Sequence, residues 1–365
     1  MRRRNFDKVF FGIVCALIIV GVFVFFSASM GFLNRDGPSF YFVVIKQIAL
    51  GLTLGLMMMF ITSRIDYKNW KKFALPFFLF SIVLSFLVFE PHIGFGHGGA
   101  RRWLKLGFLS FQPSELLKLS FIIYLSSWLT LQKNEIRSFG FGLLPFLVIV
   151  AFAGIPIIFQ NDTGTLGIIS IIGLVLFTIG GGRFRQIAII ILLGLLLLIL
   201  MSQFRPHLKD RLNVFFNKST EEEQLDKSYQ INQSLIAIGS GGIKGRGFGM
   251  SLQKFKYLPE PMGDSVFAVY AEEFGFLGSI ILIGLFLTFL YRGLYISSQS
   301  SDLFARLLGS GIAILIVAQS FVNIGAMTGV IPLTGLPLLF ISQGGSALFI
   351  TLAEIGILLN ISKNT

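Results

Sequence analysis

Val9-Phe-Phe-Gly-Ile-Val-Cys-Ala-Leu-Ile-Ile-Val-Gly-Val-Phe-Val-Phe-Phe26 carries no charged side chain. A helix needs about 20 such residues to cross the hydrocarbon of a bilayer. Only helices and closed barrels satisfy the backbone there, and this run does not alternate as a barrel strand does. Nine more stretches read the same way: Tyr41–Thr62, Phe73–Phe89, Ser114–Leu131, Phe139–Phe159, Thr163–Ile179, Gln186–Met201, Ser265–Leu290, Leu307–Met327 and Leu336–Ile361. The expectation is an all-α, polytopic membrane protein with ten transmembrane helices, one membrane domain over residues 1–365. The whole chain agrees. It is 54% hydrophobic and only 13% charged, with a mean hydropathy of +0.79, which excludes an ordinary soluble domain.

Met1-Arg-Arg-Arg4 precedes the first span, and Ser27-Ala-Ser29 follows it like a signal-peptidase site. The apolar core exceeds the ~7–15 residues of a signal peptide, so the reading is an uncleaved first helix. Cys15 is the only cysteine, so no internal disulfide can form. His92, His97 and His207 make no zinc-ligand pattern.

Charge sets the orientation. With the N-terminus in the cytoplasm, the inner segments hold fifteen basic residues, and the short outer loops hold four: Arg35, Arg101, Arg102 and Lys105. Basic residues in short loops favour the cytoplasm, so both termini are expected inside. The loop between spans seven and eight, about 203–263, is then extracytoplasmic and carries nine more basic residues.

Within that loop, Lys218–Lys227 is polar. Ile231, Leu235 and Ile238 fall on one face of a helix, expected to lie on the outer membrane surface. Gly239-Ser-Gly-Gly-Ile-Lys-Gly-Arg-Gly-Phe-Gly249 fits neither nucleotide fingerprint. It is either a flexible turn or a backbone cradle for phosphate beside Lys244 and Arg246. Leu258-Pro-Glu-Pro-Met-Gly-Asp264 turns into the eighth span and puts Asp264 where it can simply cap the helix.

Ionisable residues inside a membrane are costly and face a partner or a cavity. Glu115 and Lys118, three apart, can pair. Glu272, Glu273 and Glu354 fall within spans, and the Glu272–Glu273 doublet needs a proton, a cation or water. Arg101-Arg-Trp-Leu-Lys105 places three cations in a short outer loop, suited to a lipid phosphate or diphosphate.

Together, Gly99-Ala-Arg-Arg-Trp103, Phe111-Gln-Pro-Ser-Glu-Leu-Leu-Lys118, Gln160-Asn-Asp-Thr-Gly164, the run from Tyr229 to Gly242, Leu258-Pro-Glu260 with Asp264, Glu272-Glu-Phe-Gly275, Asn323-Ile-Gly325 and Pro337–Ser346 resemble the SEDS family (FtsW, RodA and SpoVE). The loop after Tyr229 is more similar to the FtsW branch. The resemblance implies a peptidoglycan glycosyltransferase that polymerises lipid II at the outer face of the bacterial cytoplasmic membrane. It implies a multi-pass protein with its active site facing outside, serving division or cell shape.

The implied partners are lipid II, an undecaprenyl-pyrophosphate-linked glycan, a class B penicillin-binding protein and other divisome or elongasome proteins. No nucleic-acid partner is implied. The family's catalytic aspartate maps onto Asp264. Arg102, with Arg101, Lys105, Lys118 and Lys244, is expected to meet the pyrophosphate. Glu115, Asp162, Glu260 and Gln343 are expected to support the site. No cofactor is assigned beyond a divalent cation, Mg or Mn, as an option. Met262-Gly-Asp-Ser265 departs from the family's His-Thr-Asp-Phe, Ser342-Gln-Gly-Gly345 from Ser-Tyr-Gly-Gly, and Asn161-Asp162 from Pro-Asp. A lipid II flippase, with Glu272, Glu273 and Glu354 lining a path, and a non-catalytic division scaffold are the alternatives.

Overall fold

The computed structural model describes residues 6–32, 40–97, 100–107, 109–216 and 228–364. Arg2, Arg3, Arg4, Arg35, Gly99 and the polar Lys218–Lys227 stretch lie outside the described residues or on their edge. The chain is mostly helical. Among the described residues, seven helices are long and apolar enough to cross a membrane: Lys8–Ser29 (α1), Val43–Thr62, Phe139–Phe159 (α6), Phe184–Phe204 (α8), Val266–Gln299 (α12), Leu303–Met327 (α13) and Gly345–Lys363 (α14). Ala74–Phe89 (α4) and Thr163–Ile179 (α7) are apolar but shorter. The Val43–Thr62 span belongs to α2 (40–62), which is α-helical at both ends with a π-helical stretch at Gln47–Thr53. Tyr67–Lys72 (α3) and Pro113–Leu131 (α5) complete the first half.

The core is centred on α5, α13 and α14, which are enclosed on nearly all sides. Close approach explains part of this. A Cβ on Gly356 of α14 would stand 1.9 Å from Thr62 Oγ1 and 2.3 Å from the Met59 carbonyl of α2, so only glycine lets these backbones meet. At the opposite extreme, α8 exposes nearly its whole length, an all-round apolar helix fit for lipid.

Four features correct the sequence reading. First, the class is not purely α: β1 (Gly94–His97), β2 (Ala100–Leu106) and β3 (Leu109–Phe111) form an antiparallel sheet between α4 and α5. Second, the tenth span does not begin at Leu336. Residues 330–344 are irregular, and α14 starts at Gly345. Pro332 and Pro337 break helix, and the apolar run is instead buried as turns.

Third, the described part of the long loop carries three helices, Pro206–Phe215 (α9), Tyr229–Gly241 (α10) and Gln253–Lys256 (α11). The helix expected after Tyr229 exists, but its buried face is small: Ser234, Ala237 and Gly241. Leu235 and Ile236 are exposed. A Cβ on Gly241 would stand 2.1 Å from the Ala271 carbonyl, so α10 lies directly on the start of α12.

Fourth, α12 is broken. Gly275 takes φ 66°, ψ −163°, a conformation that L side chains rarely adopt. The break frees backbone groups, and the glycine-rich segment takes them. Arg246 and Gly247 N–H donate to the Glu272 and Glu273 carbonyls at 3.0 and 2.9 Å. Phe276 and Leu277 N–H donate to the Gly242 and Ile243 carbonyls at 2.9 and 3.1 Å. The glycines let this segment press against a helix, since a Cβ on Gly245 would stand 2.1 Å from the Glu273 carbonyl. The Gly245, Arg246 and Gly247 N–H groups are therefore taken up by the Gly241, Glu272 and Glu273 carbonyls.

Candidate functional site

A cavity of about 650 Å³ opens between β2, the turn before α7, the ends of α8, α9 and α10, and the irregular segment after α13. Met201, Phe204, Leu208, Phe215 and Leu333 give it an apolar wall. Its polar residues include Arg102, Arg205, Asp210, Arg211, Gln230 and Asp264.

Asp264 is fixed from several directions. Leu258 and Met262 are buried anchors of its turn. Glu260 adopts φ +46°, and its carbonyl accepts Gly263 N–H at 3.0 Å and Ser265 N–H at 3.2 Å. From the irregular segment, Ser342 Oγ donates to the Gly263 carbonyl at 2.6 Å, and Gln343 N–H donates to the Met262 carbonyl at 2.6 Å. Asn323 Nδ2 donates to the Asp264 carbonyl at 2.7 Å. The side chain accepts one hydrogen bond from Gln230 Nε2, 3.1 Å to Oδ1.

The carboxylate is no helix cap, since Ser265 holds that position at the start of α12. Burial pushes the Asp264 carboxyl up, to about 6. Gln230 opposes this, the Glu260 charge adds to it, and Arg211 opposes it. A carboxyl with that value is ionised at neutral pH yet basic enough to take a proton, as a general base requires.

Of the other expected residues, the structure brings Arg102 and Asp162 to this place. Asp162 caps α7 through Thr165 N–H and Oγ1, at 3.2 and 2.9 Å, and its carboxylate stands 3.7 Å from Arg102 Nε. Glu260 acts on Asp264 through its charge and its turn, and Gln343 through its backbone, while both side chains are exposed.

The remaining expected cations are elsewhere. Strand alternation puts Arg101 and Lys105 on the face of β2 opposite Arg102, and both are exposed. Lys244 is exposed on the glycine-rich turn. Lys118 is 1% exposed inside the bundle, 2.9 Å from Glu115 Oε1 and bonded to Gln319 Oε1. The Glu115–Lys118 pair therefore has a local structural explanation, and neither side chain lines the cavity.

Sequence reasoning missed Arg205, Arg211, Gln230 and Asn323. The first two were counted only as basic loop residues. Pro206 as a helix start and the arginines flanking and within α9 were the available signal. Among the described residues no three His, Cys, Asp or Glu side chains gather to hold a metal.

The comparisons agree on one lineage. The family model described as Cell cycle protein, covering FtsW, RodA and SpoVE, matches residues 7–365. The probable peptidoglycan glycosyltransferase FtsW of Geobacter sulfurreducens is 36% identical over 362 residues, 98% of this chain and 95% of its own length. Stage V sporulation protein E of Bacillus subtilis is 35% identical over 352 residues, 96% of this chain and 95% of its own.

A solved chain from a peptidoglycan synthase complex that coordinates polymerization and crosslinking superposes with TM-score 0.80 at 25% identity, covering 98% of this chain and 97% of that one. The rod shape determining protein RodA of Thermus thermophilus gives TM-score 0.71 at 26% identity, with 98% and 97% covered. With its apolar helices and a match over nearly its full length, this chain is a multi-pass membrane protein of the FtsW/RodA/SpoVE, or SEDS, family.

Proposed function

We propose that this chain is a peptidoglycan glycosyltransferase that polymerises lipid II, using Asp264 as general base. The observation that carries the reading is one half-buried carboxylate, raised to about 6 by desolvation, facing a cavity that also holds three guanidinium groups and an apolar wall. That combination suits a sugar hydroxyl, a diphosphate and a polyprenyl chain together. In the reaction, Asp264 takes the proton of the acceptor's 4-hydroxyl. The oxygen forms a bond to the donor's anomeric carbon as the bond to the diphosphate oxygen breaks. An α-linked donor and a β-1,4 product require inversion, hence one displacement. The guanidinium groups that line the cavity supply positive charge to the departing diphosphate.

The ten apolar segments act as spans, the tenth shortened to α14, with both termini in the cytoplasm and the cavity facing outside. A class B penicillin-binding protein crosslinks the product, in keeping with the synthase complex that this fold resembles. A divalent cation would be held through the Asp264 carboxylate and would supply positive charge to the diphosphate.

The test is polymerisation of labelled lipid II by the purified chain with its penicillin-binding partner, whose transpeptidase is blocked. Glycan ladders from wild type and none from Asp264→Ala support the reading. Ladders from both remove Asp264 as the base. No ladder from folded, partner-bound wild type turns the reading to flippase or scaffold.

A further inference from the structure

The three guanidinium groups of the cavity are not equivalent. Arg102 donates Nη2 to the Asn161 carbonyl at 2.6 Å and stands beside Asp162. Arg205 donates to the Asn161 side-chain oxygen and, at 3.3 Å, to the Ile158 carbonyl. Both are tied to the same turn, 158–162, and build the wall. Arg211 reaches in from α9. The hydrogen bond described for it is a single long one, Nη1 to the Thr334 carbonyl at 3.3 Å.

Burial weakens Arg211's hold on its proton and Arg102 repels it, while Asp162 and Asp264 favour its charge. Asp210, its neighbour on α9, also lines the cavity. Arg211 is a desolvated fork with most of its donors turned to no described partner. It also lines the same cavity as the base. Arg211 Nη2 and Asp264 Oδ2 each lie 3.9 Å from the point where a Cβ on Gly335 would stand. The two groups are therefore no further apart than twice that distance. At that closeness a single bound sugar diphosphate can meet both groups.

We infer that Arg211 is the residue that grips the diphosphate of the lipid-linked donor, an assignment that rests on the polymerase reading for the donor's identity. A guanidinium matches phosphate oxygens in two parallel hydrogen bonds. As the bond from the anomeric carbon to the diphosphate oxygen breaks, its electron pair goes to that oxygen and Arg211 holds the charge. The proton of the entering hydroxyl goes to Asp264. Arg102 and Arg205 shape the pocket that Arg211 serves.

The experiment is calorimetric titration of the purified chain, with its partner, using farnesyl diphosphate and farnesyl monophosphate as probes. Wild type is expected to prefer the diphosphate. Arg211→Gln should weaken diphosphate binding about 10–100-fold and leave the monophosphate nearly unchanged. It should also cut kcat for lipid II about 100-fold. Arg211→Lys, which keeps the charge without the fork, should fall between, and serves instead if Arg211→Gln melts early. Diphosphate affinity equal to wild type in a folded Arg211 variant overturns the inference. If that occurs while polymerisation is normal, the polymerase reading stands. Loss of diphosphate binding in Arg211→Gln, from a wild type that makes no polymer, supports the site and removes the polymerase reading.

Discussion

Two ionic clusters flank the start of α12, and they are built to opposite specifications. Around Glu272 and Glu273 every charge is answered. Lys254 is fully buried and donates to Glu273 Oε1 at 2.7 Å, to Ser27 Oγ at 3.0 Å and to the Gly249 carbonyl at 2.8 Å, which uses all three of its protons. Glu272 accepts Ser251 Oγ at 2.6 Å and Leu252 N–H at 3.0 Å, with Arg246 at 3.5 Å. Around Asp264 the charges are less fully answered: the carboxylate accepts one side-chain bond, from Gln230, Arg211 makes one long bond, to the Thr334 carbonyl, and Arg102 Nε makes no hydrogen bond, standing 3.7 Å from Asp162. A satisfied buried network rigidifies. An unsatisfied one is where a ligand finds work to do. The first cluster staples the loop 245–254 to α1 and α12, and the second is left to meet substrate.

The largest expected effect comes from the open cluster. Asp264→Ala and Asp264→Asn should lower lipid II polymerisation by ~10²–10⁴-fold without loss of folded protein, read from glycan ladders and from thermal melts in detergent. The closed cluster should behave the other way. Lys254→Met leaves Glu273 buried without its cation, and breaking a buried pair costs about 3–5 kcal/mol. Its melting temperature should fall, while the fraction that stays folded keeps its turnover number. A Lys254→Met protein that melts normally but makes no polymer would erase the contrast.

Much of this contrast was hidden in the sequence, for physical reasons. Apolar runs announced the long apolar helices, because length and composition are local properties. Asp264 was visible through the turn-forming prolines and glycine around it, and through family likeness. The Glu272–Glu273 doublet demanded a cation, but nothing local said that Lys254 would supply it or that Ser27, over two hundred residues away, would join. Such pairings are set by tertiary packing. Arg101, Arg102 and Lys105 looked alike as a loop. As a strand, alternation sends one inward and two out. Lys118 looked available to an anion until the bundle closed over it with Glu115 and Gln319.

A smaller effect follows from pH. The folded-state value of Asp264 is raised from 3.8 to about 6, mainly by burial. The ionised form is therefore penalised in the folded protein, and stability from this group falls as pH rises from about 4 through 6. Asp264→Asn should accordingly be more stable than wild type at pH 8, by up to ~3 kcal/mol. The gain should vanish below pH 4, where both are neutral. Melts at the two pH values decide it. Equal melting temperatures at pH 8 would mean that the carboxylate is better solvated than its surroundings indicate.

The finest test separates holding the base from being the base. Gln230 touches Asp264 Oδ1 at 3.1 Å and Ser265 Oγ at 3.0 Å, and its hydrogen bond is the largest influence favouring the ionised carboxylate against burial, ahead of a backbone hydrogen bond and Arg211. In wild type, kcat/KM should fall on the acid side with an apparent value near 6, since that parameter reports the free enzyme's base. Gln230→Leu removes the donor, so the acid limb should move to higher pH. At pH 7 the rate should drop by up to ~10-fold, and at high pH it should recover. A merely structural role for Gln230 predicts a rate lowered equally at every pH, with the limb unmoved. That outcome would place Gln230 with the satisfied cluster rather than the open one.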